Sequence, residues 1–143
     1  MINGLDTTFL VEMEVLGHPH HGWARNLFRE ARARGERFAL TPQVIAEFIH
    51  VITDSRRFTK PLLISEAVER ADRWWRAPEI VQMHSTEESL LLFTDWMKEF
   101  RLGRKRILDT LLAATYRSQH VASIYSTNAR DFRVFQCFTV HSP

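Results

Sequence analysis

A chain of 143 residues with 45% hydrophobic and 11% aromatic residues has the material for one cored domain, and lacks the composition of a disordered or repetitive chain. Nineteen Lys and Arg against seventeen Asp and Glu leave a formal +2, which excludes a binder held by bulk charge alone. Cys137 is the only cysteine, so neither an internal disulfide nor a thiolate zinc site can be built, as suits a reducing cytoplasm.

Ile2 to Leu5 reads as a brief opening strand. Phe9, Leu10, Met13 and Leu16 then recur at helical spacing, with Gly17 as the stop. A loop from Gly17 to Gly22 leads into a second amphipathic helix, with Trp23, Leu27, Phe28 and Ala31 inside, Arg25, Arg29 and Arg32 outside, and Gly35 at its close. Arg37 to Leu40 is strand-like, and Thr41-Pro42 is a helix entry with a capping hydroxyl and a proline in the first turn. The helix from Gln43 to about Thr53 is strongly apolar apart from one stripe, Gln43, Glu47, His50 and Asp54. Ser65-Glu66 opens a helix reaching Trp74-Trp75 and ended by Pro78. Glu79 to Met83 reads as a strand, and Ser85 to Glu88 starts a helix running to Phe100. A basic loop, Arg101 to Arg106, precedes a helix from Ile107 to Gln119, a strand at Ala122 to Ser126 and a last strand at Phe138 to Val140.

Strands alternating with helices predict an α/β fold with a mainly parallel sheet, as one domain over residues 1–143. The N-terminus lacks the basic-then-apolar order of a signal peptide, and charges interrupt every apolar stretch well short of the ~18 residues of a spanning helix. A soluble cytoplasmic protein with no membrane contact is the expectation.

In open α/β sheets ligands bind beyond the carboxyl ends of the strands. Asp6 follows the first strand and Asp131 lies shortly after the strand ending at Ser126. Glu47 and Asp109 sit on strongly apolar helices. Taken singly, each acid has a plain structural explanation: Asp6 and Asp109 as helix N-caps, Glu47 as a solvated helix edge, Asp131 as a turn residue.

Taken in order, the four acids closely resemble the motifs of the PIN-domain ribonuclease family, and in particular the small VapC-like toxins of type II toxin–antitoxin pairs. The matching segments are Leu5-Asp6-Thr7-Thr8, Thr41-Pro42 through Glu47-Phe48, Arg104-Lys105-Arg106-Ile107-Leu108-Asp109 with its small apolar sequel, and Ser126-Thr127-Asn128-Ala129-Arg130-Asp131-Phe132. The resemblance spans the chain and departs from the pattern at Asn128, where family members often carry an acid. It implies a PIN-like three-layer α/β/α sandwich and metal-dependent endonucleolytic hydrolysis of RNA. Asp6, Glu47, Asp109 and Asp131 would be the catalytic and metal-binding acids, with Asn128, through its carbonyl, the alternative to Asp131 as fourth ligand.

Oxygen-only donors suit a hard cation, Mg²⁺ or Mn²⁺, and clustered carboxylates need a cation or protons between them. Thr7, Thr127 and Asn128 are candidates for contacts behind the ligands or to phosphate. Arg104, Lys105, Arg106 and Arg130 are candidate RNA contacts, with Arg101 and Arg133 beside them and Arg56, Arg57 and Lys60 as an extension of the track. Phe58 and the Trp74-Trp75 pair are candidates for base stacking, a dimer mate or an antitoxin helix, although neighbouring helix positions diverge by about 100°, so one of the two tryptophans suits the core.

The expected partners are an RNA substrate, an antitoxin and a second copy of the chain. Two other functions stay open: a PIN-like module that binds RNA or protein without cutting, and a metal-dependent phosphatase. His18, His20 and His21 form only a compositional zinc signal, and the P-loop-like spacing of Gly17 and Gly22 fails because Trp23-Ala24 replaces the lysine and hydroxyl residue. If the four acids converge, nineteen bases face the remaining thirteen acids, a formal +6 around an acidic pocket.

Overall fold

The computed structural model describes all 143 residues. Five strands form one sheet: β1 (Ile2–Leu5), β2 (Arg37–Leu40), β3 (Ile80–Gln82), β4 (Ser123–Tyr125) and β5 (Thr139–His141). Their spatial order is β3-β2-β1-β4-β5 and every pair is parallel. The helices are α1 (Thr7–Glu14), α2 (His21–Ala33), α3 (Pro42–Ile52), α4 (Ile64–Arg76), α5 (Glu87–Glu99), α6 (Ile107–Ser118) and α7 (Arg130–Arg133), with a single 3₁₀ turn at Arg104–Arg106 before α6. The expected α/β class and parallel sheet are present. No helix is long and apolar enough to cross a membrane.

The order places the topological switch between β1 and β4, since the chain builds outward from β1 to β3 and then returns to the other side of β1. Both central strands read as apolar runs because a parallel sheet is covered on both faces; Gly4, Leu5, Ile124 and Tyr125 are all buried. Phe9 and Leu10 of α1, Phe38 and Leu40 of β2, and Val44 and Phe48 of α3 are fully enclosed in the same core. Each such side chain contributes about 1.5–3 kcal/mol on burial.

Gly4 has a particular reason. A Cβ there would stand 2.7 Å from the Tyr116 ring. The bare backbone lets Tyr116 of α6 lie across β1, where its hydroxyl is 2.6 Å from the Leu5 carbonyl and 3.0 Å from that of Ala39. This braces β1 against β2 just below Asp6.

Several boundaries differ from the sequence-based expectation. α1 stops at Glu14, not at Gly17, and Leu16 is exposed. The physical cause is Glu12, whose buried carboxylate pairs with His18 and accepts from the His20 amide at 3.1 Å, folding the loop back before the helix can reach Leu16. α4 begins at Ile64 behind an uncapped Leu63, and the last strand starts one residue later than expected. Asp109 is not an N-cap, because α6 opens from the 3₁₀ turn at Arg106 and places Asp109 third in the helix. Asp131 lies not in a plain turn but in α7. Asp6 and Thr41 do cap α1 and α3, accepting from Thr7 N and Val44 N respectively.

Candidate metal and nucleic-acid site

β1 and β4 are paired in register, with Leu5 opposite Tyr125, so one residue further on Asp6 comes beside Ser126. Asp6 is buried, 3% exposed, at the carboxyl edge of the sheet. Three donors hold its carboxylate: the Thr7 amide at 2.8 Å, the Thr8 hydroxyl at 2.9 Å and the Ser126 hydroxyl at 2.7 Å. Burial pushes the Asp6 carboxyl above its ordinary range; the three hydrogen bonds oppose that rise, and the charge of Glu47 adds to it. The loop after β4 is locked into the same network, since the Thr127 amide donates to Thr8 Oγ1 at 3.1 Å and the Asn128 amide to Ser126 Oγ at 2.9 Å.

Glu47 reaches the site from the middle of α3. Its carboxylate accepts from the Thr7 hydroxyl at 3.0 Å and from Gln43 Nε2 at 3.0 Å. Gln43, one turn earlier, also donates to the Leu108 carbonyl at 2.9 Å, and so couples α3 to the start of α6. The polar stripe of α3 is therefore divided. Gln43 and Glu47 face the site, while His50 is exposed and Asp54 pairs with Arg56 and Arg57.

Asp109 enters from the first turn of α6 and its carboxyl is pushed up to about 7. The largest cause is burial; next come the charges of Asp6 and Asp131, a hydrogen bond with Asp131 that favours the protonated form, and the charge of Glu47. Asp109 thus feels the charge of all three other acids, which come from the β1–α1 junction, α3 and α7. Asp131 is positioned by Arg106, whose guanidinium is 3.5 Å from Asp131 Oδ1 and donates to the Asp131 carbonyl at 2.7 Å.

Hard carboxylate and hydroxyl oxygens and the absence of sulfur fit a cation such as Mg²⁺ or Mn²⁺. As the side chains stand, no group of three or more His, Cys, Asp or Glu residues is placed to hold a metal ion. Mg²⁺ characteristically binds through one or two carboxylates, several waters and substrate phosphate rather than through an all-protein cage. Partly exposed, mutually repelling carboxyls match that mode. Asp6, Glu47, Asp109 and Asp131 would hold the ion, and it would supply the positive charge that the cluster lacks.

Among the other residues singled out, Thr7 is buried and bonded to Glu47, whereas Thr127 and Asn128 engage the site through their amides. Arg104, Lys105, Arg130 and Arg133 are exposed, while Arg106 is half-buried and committed to Asp131. Trp74 is held by a 2.7 Å bond to Glu14 and packs edge-on against Phe28; Trp75 meets His84. His18 and His21 are both tied to Glu12, the first to its carboxylate and the second to its carbonyl. Ser126, Thr8 and Gln43 carry functional hydrogen bonds that their residue types alone did not assign. The available signal was position: Ser126 ends β4 as Asp6 ends β1, and Gln43 precedes Glu47 by one helical turn.

The family model for the PIN domain matches residues 5–136. No curated protein sequence matches the chain. Among solved structures, VapC20 of Mycobacterium tuberculosis, described as a sarcin–ricin loop cleaving toxin, superposes with a TM-score of 0.75 at 17% identity, covering 98% of each chain. VapBC-1 from nontypeable Haemophilus influenzae gives 0.71 at 13% identity over 99% of this chain and 98% of its own. VapBC2 from Rickettsia felis, bound to a promoter DNA fragment, gives 0.71 at 14% identity over 100% and 99%. At these identities the likeness is one of fold.

Proposed function

The chain belongs to the PIN-domain family, and from that premise we propose that it is a Mg²⁺- or Mn²⁺-dependent endoribonuclease acting as the toxin of a toxin–antitoxin pair. The observation that supports the reading is Asp109 of α6, whose carboxyl is pushed up to about 7 by burial and by the charges of Asp6 after β1, Asp131 of α7 and Glu47 of α3. Partly buried groups of like charge are costly to keep together, and such costs concentrate at functional sites.

When bound, a divalent cation supplies charge neutralisation at the scissile phosphate and eases deprotonation of the attacking water. The residues of the chain do the rest. Asp6, fixed by three donors, is a rigid anchor at the switch point. Glu47, aimed by Thr7 and Gln43, orients the water and accepts its proton. Asp109 and Asp131 complete the acidic ring, with Arg106 holding α7 so that Asp131 faces Asp109. Arg104, Lys105 and Arg130, exposed at the rim, bind phosphates on either side of the bond. The solved relatives described as VapBC assemblies support a cognate antitoxin as partner, and a homodimer in the cytoplasm is part of the same proposal.

Incubation of the purified protein with RNA tests this. Cleavage is expected with Mg²⁺ or Mn²⁺, is abolished by EDTA, and is lost in folded Asp6→Asn and Asp109→Asn variants. RNA that is bound but never cut in either metal identifies a binding module instead, and hydrolysis of a phosphomonoester without RNA cleavage identifies a phosphatase.

A further inference from the structure

We infer that the cleft between α2 and α4 is a second RNA site, taking the phosphodiester backbone of the substrate away from the bond that is cut. This rests on the nuclease proposal for the identity of the ligand. The cleft has a volume of about 520 Å³ and is lined by Arg25, Arg29 and Arg32 of α2 and by Arg70 and Arg73 of α4. Only two carboxylates, Glu14 and Glu79, line it, so its formal charge is +3, more than the +2 of the whole chain.

The two carboxylates are already occupied. Glu14 accepts from Arg70 at 3.3 Å and from the Trp74 indole at 2.7 Å, and Glu79 lies 3.8 Å from Arg32. Arg25, Arg29 and Arg73 have no carboxylate within 4.0 Å; Arg29 donates only to the neutral side chain of Asn26. Three uncompensated guanidinium groups lining one concavity repel one another unless a further anion enters between them.

Their spacing favours a phosphate backbone. Arg25, Arg29 and Arg32 stand at i, i+4 and i+7 on one face of α2, giving about one cation per helical turn of 5.4 Å. A regular ladder of this kind suits a regular polyanion, and each guanidinium can grip phosphate bidentately. The half-buried Trp74 ring, pinned by Glu14 and backed by Phe28, is a fixed aromatic surface beside the ladder. Glu14 ends the helix that Asp6 caps, about 12 Å away along the axis of α1.

The test uses Arg25→Ala/Arg73→Ala and Arg25→Lys/Arg73→Lys variants of the full chain. Both positions are exposed and free of ion pairs, so folding is undisturbed. Affinity for an RNA hairpin is measured against salt concentration in EDTA, which removes any cleavage. The alanine variant is expected to bind about tenfold more weakly or worse, with the slope of log affinity against log salt reduced by about 1.4–1.8, or ~0.7–0.9 per lost phosphate contact. The lysine variant should keep the slope and recover only part of the affinity. Unchanged affinity and slope in the alanine variant overturn the inference. So does weakened binding of poly-glutamate with RNA binding intact, which assigns the cleft to an acidic protein. A wild-type chain that cuts no RNA in Mg²⁺ or Mn²⁺ defeats the nuclease proposal, while the EDTA measurement still decides the cleft.

Discussion

Asp6 and Asp109 are both carboxylates of one site, yet the chain treats them in opposite ways. Asp6 sits in a prepared socket with three donors on its two oxygens. Asp109 has no such donors; it faces three other acids and is pushed up to about 7. The two environments differ in kind: the β1–β4 junction supplies a fixed carboxylate, and the first turn of α6 supplies a carboxyl still largely protonated at pH 6.

The largest effect on this contrast comes from removing the acids themselves. Asp6→Asn and Asp109→Asn are each expected to lower RNA cleavage by roughly 10²–10³-fold, measured as kcat/KM on one RNA in saturating Mg²⁺. Comparable losses with intact near-UV circular dichroism sharpen the account; wild-type rates in either variant break it.

Next comes the socket. Ser126→Ala removes the shortest bond to Asp6 and leaves one oxygen with Thr8 alone, so activity or metal affinity should fall about 10–100-fold. No matching change at Asp109 is expected, because Ser126 does not touch it.

Stability should move the other way. Because Asp109 has a higher pKa folded than unfolded, the folded state binds more protons between about pH 4 and pH 7. Its contribution is neutral below the unfolded pKa and becomes increasingly destabilising as pH rises through that window, levelling off above 7. Asp109→Asn removes the penalty and should stabilise the metal-free protein at pH 8 by on the order of 2 kcal/mol, while having little effect at pH 4. Urea titrations at both pH values in EDTA check this.

The smallest effect lies beneath the socket. Tyr116→Phe deletes the hydroxyl shared by the Leu5 and Ala39 carbonyls and should cost about 1–2 kcal/mol without touching any carboxylate. A loss of activity beyond the loss of folded protein would show that the β1–β2 brace also sets the position of Asp6.

Much of this was legible in the residues. The strand–helix alternation and the Thr41-Pro42 entry are local patterns, and the fold follows them. Asp6 stands out because it follows a strand, and Glu47 and Asp109 because they interrupt apolar helices, whereas Asp131 is marked only by its place after the fourth strand. What failed was decided by distant partners. Leu16 continues the helical period of α1, but Glu12 draws back the loop that contains His18 and ends the helix first. Arg106 belongs to a basic run in the sequence, yet in space it leaves that run to hold Asp131. Ser126 and Asp6 are 120 residues apart, and their bond depends on β4 returning to the far side of β1. The arginines of α2 look like an ordinary solvated face until α4 brings Arg70 and Arg73 opposite them.

The central claim is that these carboxyls collect in order to hold a divalent cation. Mn²⁺ binding by titration calorimetry, repeated in buffers of different ionisation heat, tests it most directly. A carboxyl titrating near 7 should release most of a proton per ion bound at pH 6 and little at pH 8, and both binding and proton release should vanish in Asp109→Asn. Absence of Mn²⁺ binding, or binding with no proton release at pH 6, would contradict the account.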